Sequence, residues 1–123
     1  MMAGADQRQS VVAVRALEDS GDAGVVIPAG GGMGRSLYGA ALINGARAHA
    51  LDFDDYEIPG STHVSAPIFS ALLALAQRFQ VSIGEVCDAW VVGYEAIVRV
   101  GLALGYGHYE KGWHATATLG PIG

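Results

Sequence analysis

The tetrad Ser82-Ile83-Gly84-Glu85 constrains the fold more than any other part of the chain, because it has the composition of a capping box at the head of a long apolar run. In such a box the serine hydroxyl accepts from the glutamate amide, and the glutamate carboxylate reaches back to the serine amide. Two otherwise orphaned helix donors are thereby satisfied. A helix therefore starts here, and the apolar run carries it for about twenty residues, to roughly Leu104. Within it Glu95 and Arg99 stand at i, i+4 as a structural ion pair, and Gly93 and Gly101 are expected to mark close crossings. The stretch Val86 to Tyr106 has the length of a membrane span, but Asp88, Glu95 and Arg99 interrupt it, and charge in hydrocarbon is costly. It reads as a buried helix of a soluble protein.

Other segments support a mainly helical chain. Val11, Val12, Val14, Ala16 and Leu17 suggest a short helix over residues 7–19, ending near Glu18, Asp19 and Gly21. Val25-Val26-Ile27, closed by Pro28, reads as an isolated strand or extended arm. The glycines at 30, 31, 32 and 34 invite comparison with a phosphate loop, but neither G-x-G-x-x-G nor Gly-Lys-Ser/Thr is present, so a flexible connector is expected. Ser36 is placed to cap a helix running to Ala48, whose small residues permit close packing. A further helix begins near Ser65-Ala66-Pro67, where proline is tolerated in the first turn, and runs to Phe79. A last helix opens at His114 to Gly120, as the chain stops.

Composition narrows the function classes. Twelve acidic against seven basic residues, with no Lys/Arg cluster, argue against a nucleic-acid partner. The N-terminal residues Met1 to Arg8 lack the basic and apolar regions of a signal peptide. A single cysteine, Cys87, leaves no internal disulfide and suits a reducing compartment. A cytoplasmic protein with no membrane partner is the expectation.

Against this sparse charge, residues 49–63 hold three aspartates, a glutamate and two histidines: His49, Asp52, Asp54, Asp55, Glu57 and His63. Histidine beside a carboxylate can run proton transfer near neutral pH, so Asp52, Asp54, Asp55, His63 and His114 are candidate titratable groups for acid–base chemistry. The other readings are a loop anchor for Asp52, a loop-closing histidine for His63 and a helix cap for His114. Asp54, Asp55 and Glu57 read as a solvated loop bonding local amides. Clustered carboxylates and imidazoles also suit a metal ion, but no H-E-x-x-H and no EF-hand spacing supports one. His49, on the apolar helix, reads as a core or supporting histidine; His108 and Lys111 read as exposed loop residues, although Lys111 can also meet a substrate carboxylate as a point charge.

Several blocks in order, Asn44-Gly45, Ala48 to Asp55, His63, Gly93-Tyr94-Glu95 with Arg99, and Gly112 to Gly120, resemble the MmgE/PrpD family, which includes 2-methylcitrate dehydratase and cis-aconitate decarboxylase. The resemblance covers roughly residues 36–123, with 1–35 looser, and makes 1–123 a partial helical domain. It implies a cofactor-free homodimeric lyase acting on tricarboxylates or related acids, with Asp52, His63 and His114 at the active site and Lys111 and Thr116 near substrate. It also implies a second, α/β domain and further basic residues beyond Gly123, so the chain is expected to be a fragment that works with a missing C-terminal half. Each family histidine is commonly followed by proline, whereas Val64 and Ala115 follow here, which loosens the backbone. The competing expectations are a dehydratase, a decarboxylase or epimerase of the same family, a non-catalytic helical remnant that only dimerises, and a carboxylate-cluster metal protein.

Overall fold

A computed structural model describes residues 1–17 and 26–123. Its helices are α1 (Arg8–Ala16), α2 (Leu37–His49), α3 (Ser65–Phe79), α4 (Ile83–Leu104), α5 (Gly107–Glu110) and α6 (Ala115–Leu119), followed by a 3₁₀ turn, Gly120–Ile122. Among the described residues no strand pairs beyond two isolated antiparallel bridges, Val26 with Arg35 and Glu57 with Thr62. The expected extended arm is therefore a single bridge, and the part of it before Val26 lies outside the described residues, as do Glu18, Asp19 and Gly21. Among the described residues no helix is long and apolar enough to cross a membrane.

The helix starts follow their local chemistry. Ser82 Oγ accepts from the Glu85 amide at 3.3 Å while Glu85 Oε2 accepts from the Ser82 amide at 3.0 Å, completing the capping box; the Ser82 hydroxyl also donates to Glu85 Oε2 at 2.7 Å, and this bond, then the one from the amide, holds the Glu85 carboxyl below its usual range. Ser36 caps α2 through the Gly39 amide at 3.1 Å. Glu95 and Arg99 pair along α4, with Nε donating at 2.7 Å.

Packing runs α1 on α2, α2 on α3 and α3 on α4, with α6 and the final turn closing on α4. Small residues let α2 and α3 approach: a Cβ on Gly45 would lie 3.7 Å from Ser70 Oγ, and the fully buried Asn44 donates to the Ser70 carbonyl at 3.4 Å. The main core gathers Val64, Ile68, Ile97, Ala115 and Leu119 from four segments.

The glycine connector is held rather than loose. Arg47 donates to the carbonyls of Ala29 and Gly31 at 2.6 and 3.1 Å, and Asn44 Oδ1 accepts from the Ala29 amide at 2.7 Å. A loop whose carbonyls face a guanidinium is arranged opposite to an anion cradle, which needs amides pointing inward.

Helix α4 departs from the expectation of full burial. Its buried residues are Val86, Gly93, Ile97 and Gly101, one stripe, whereas Val91, Val92 and Leu102 face outward. The exposed face of α4 carries Asp88, Glu95 and Arg99, which recur at helical spacing opposite the buried stripe. Its two glycines do mark close crossings. A Cβ on Gly93 would meet the Gly123 carbonyl at 2.8 Å, and one on Gly101 would meet the Gly60 Cα at 3.0 Å. The second contact is backbone against backbone, so neither side can rotate away. Gly101→Ala is expected to lower stability by about 1–3 kcal/mol, measured by urea denaturation, whereas alanine at Gly84, which would meet only Ser82 Oγ at 3.9 Å, should cost far less.

Candidate functional site

The site is built by the 15-residue linkage that leaves α2 at His49 and enters α3 at Ser65. Asp52 makes the first turn, its amide donating to the His49 carbonyl at 3.0 Å and its φ standing at 55°. Aspartate tolerates this left-handed conformation better than most residues. The chain bends again at Asp54, whose carboxylate turns toward the histidines, while that of Asp55 meets the start of α3.

Asp55 locks the segment. Its carboxylate accepts from the Ser65 amide at 3.0 Å and the Ser65 hydroxyl at 2.9 Å, capping α3 from outside the helix, and Trp90 Nε1 donates to the same hydroxyl at 3.2 Å. Glu57 closes the next turn through its Oε2 and the Gly60 amide at 2.7 Å, beside the paired backbones of Glu57 and Thr62. Asp54, Asp55 and Glu57 are thus half-buried structural groups, not the solvated loop expected. Their carboxylates are drawn in by unpaired amides, hydroxyls and imidazoles.

Four side chains converge. Asp54, with 10% of its side chain exposed, accepts from His49 Nδ1 at 3.0 Å and lies 3.3 Å from His63 Nδ1. Asp52 Oδ1 stands 3.7 Å from His63 Nε2 and 4.0 Å from His49 Nδ1. The two imidazoles meet edge to face at 4.6 Å, and Tyr56 packs against His63 at 5.1 Å. His63 is anchored by its amide, which donates to Thr116 Oγ1 at 2.9 Å. The His63 Nδ1 atom is buried without a hydrogen bond.

Both histidines and Thr116 line a cavity of about 490 Å³, otherwise walled by small or apolar residues including Gly45, Ala66, Pro67 and Gly120. That volume falls within the range of small-molecule sites, about 300–1,000 Å³. Asp52, His63 and Thr116 therefore come together. His114 stands apart: it caps α6, its Nδ1 accepting from the Ala117 amide at 3.3 Å, and borders a separate pocket with Tyr109, Gly112 and Trp113. Lys111 is exposed just after α5.

His49 is no core residue; half of its side chain is exposed and it belongs to the cluster. His108 is also not the exposed residue expected, since its Nε2 bonds Thr118 Oγ1 at 2.7 Å and its ring stacks on Trp113. Asp54, one of the titratable candidates and expected in a solvated loop, is instead the carboxylate between the two imidazoles.

The whole chain, residues 1–123, matches the MmgE/PrpD N-terminal domain. The chain belongs to the MmgE/PrpD family. A curated relative, the cis-aconitate decarboxylase-like protein oryM of Aspergillus oryzae, is 33% identical over 89 residues, covering 66% of this chain and 18% of the relative. The chain thus spans under a fifth of that protein's length. No solved structure matches it. The family match extends over residues 1–35 as well, so the N-terminal arm and glycine connector are part of this MmgE/PrpD domain.

Two outcomes test the anchoring of the site. Asp55→Ala leaves the Ser65 amide and hydroxyl without their acceptor and should cost about 1–3 kcal/mol in urea unfolding. Burial and then the Asp55 charge hold the Tyr94 phenol above its ordinary value of 10.0. The protonated phenol is the form favoured in the fold, so its contribution is full below the ordinary tyrosine range and is lost as pH rises through the raised value. In an absorbance titration part of the tyrosine signal should appear above the ordinary range, and Tyr94→Phe should remove that late step.

Proposed function

We propose that this domain carries part of the active site of a lyase that acts on a small di- or tricarboxylic acid by metal-free acid–base catalysis, most like 2-methylcitrate dehydratase. The observation that carries this reading is the convergence of Asp52 and Asp54 on His49 and His63, the two imidazoles that line a cavity sized for such an acid. Family membership supports the reaction class.

In a dehydration, a base removes a proton next to a carboxylate while an acid assists the departing hydroxide. His63 faces the cavity and has carboxylates near both ring nitrogens, so it is the group assigned to proton transfer. Asp54 orients the two imidazoles, and Asp52 either orients Nε2 or exchanges the proton itself. Thr116, bonded to the His63 backbone, holds the ring at the wall. His114 enters the proposal as a second proton-transfer group that approaches when the α6 end meets substrate, and Lys111 as a carboxylate contact.

A multiply anionic substrate also needs positive charge, and no Lys or Arg lines the cavity among the described residues. Arg47 is committed to loop carbonyls and Arg99 to Glu95. The reading therefore includes basic residues supplied by further chain segments or a second copy, and the outward Val91, Val92 and Leu102 support such an association. Decarboxylation is a second reading, favoured by the name of the Aspergillus relative; there, loss of CO₂ leaves a carbanion that the same imidazole protonates.

Supplied with a C-terminal half from the family, the chain should turn over 2-methylcitrate or cis-aconitate, and product analysis for water loss or CO₂ separates the two reactions. His63→Ala should lower kcat by about 10²–10⁴-fold. Turnover unchanged in His63→Ala refutes the assignment.

A further inference from the structure

We infer that His49, Asp52, Asp54 and His63 form a binding site for one divalent transition-metal cation of the zinc class, with the cation as a competitor of proton transfer. One donor atom from each of the four lies within 4.8 Å of all the others. Around a zinc ion with bonds of about 2.1 Å, tetrahedral donors stand about 3.4 Å apart. His49 Nδ1 stands 3.0 Å from Asp54 Oδ1 and 4.0 Å from Asp52 Oδ1, on either side of that value. His63 joins through one ring nitrogen, either Nδ1, 3.3 Å from Asp54, or Nε2, 3.7 Å from Asp52. The His49 and Asp52 side chains are 49% and 77% exposed and free to close the shell by rotation, while Asp54 and His63 form its covered half.

Two independent observations point the same way. His63 Nδ1 is buried without a hydrogen bond, an expense that a coordinated cation in the cluster offsets by reorganising both imidazoles as ligands. The cluster also brings two carboxylates together with no arginine or lysine paired to either among the described residues, a field that two positive charges neutralise. Two imidazole nitrogens with two carboxylate oxygens suit zinc and its first-row neighbours, whereas Mg²⁺ and Ca²⁺ prefer shells of oxygen alone.

An imidazole nitrogen bound to a cation has no lone pair left for a proton, so occupancy and acid–base catalysis exclude one another. That consequence rests on the proposed function; cation binding does not.

Zinc titration of the purified chain against a chromophoric chelator, in a Cys87→Ser background to remove the thiol, tests the site without any turnover. One zinc per chain is expected, weakened at least tenfold by His49→Ala and by Asp54→Asn and unchanged by His108→Ala. Cobalt substitution should give the intense visible absorption of a tetrahedral site, and lose it in the same two variants. Circular dichroism confirms folding, and because His49 is half-exposed at a helix end, His49→Ala decides the matter if Asp54→Asn does not fold. Absence of stoichiometric zinc, equal affinity in His49→Ala, or equal weakening in His108→Ala overturns the inference.

Discussion

The carboxylate of Asp55 holds the polar segment in place, and the geometry of the site depends on it. Bonded to both the amide and the hydroxyl of Ser65, it substitutes for the side-chain cap that Val64 cannot offer α3. Through Ser65 it reaches Trp90, and through its charge Tyr94, so one buried acid joins the segment to the start of α3 and the middle of α4. With Asp55 fixed against α3, the neighbouring Asp54 lies beside His49 and His63. A flexible loop with the same residues would scatter these groups, and gathering them would cost conformational entropy.

Much of the scaffold was legible before the structure. The capping box of α4, the Ser36 cap and the start of α3 are local devices, decided by residues within one helical turn of one another, and each appears where the spacing places it. The close crossings at Gly93 and Gly101 were legible because glycine in an otherwise apolar helix needs a reason. What was not legible depended on distant partners. Nothing near Asp55 in sequence says that Ser65 and Tyr94 will meet it, and nothing near Thr118 says that it will take His108. The exposure of Val91, Val92 and Leu102 on α4 was likewise not legible, because their apolar side chains stand beside the charged face of Asp88, Glu95 and Arg99.

The site shows the same division. Asp52 and His63 are found together, as their type and position suggest, but Asp54 and His49 complete the group only because the chain reverses at the left-handed Asp52. His114 illustrates the converse: an imidazole before a short helix has an amide to bond, and in the present arrangement Ala117 takes its Nδ1. Arg47, the basic residue nearest in sequence to the acidic segment, is spent on the glycine connector, which leaves the cluster negative and makes its charge balance depend on something brought from outside.

The meeting of Gly60 and Gly101 sets how closely the acidic segment sits on α4. A Cβ at either position would lie 3.0 Å from the other's Cα, so a side chain at one is admitted only if the opposing backbone retreats. Gly60 is bonded to Glu57 and Thr62, and a retreat there would carry that turn with it.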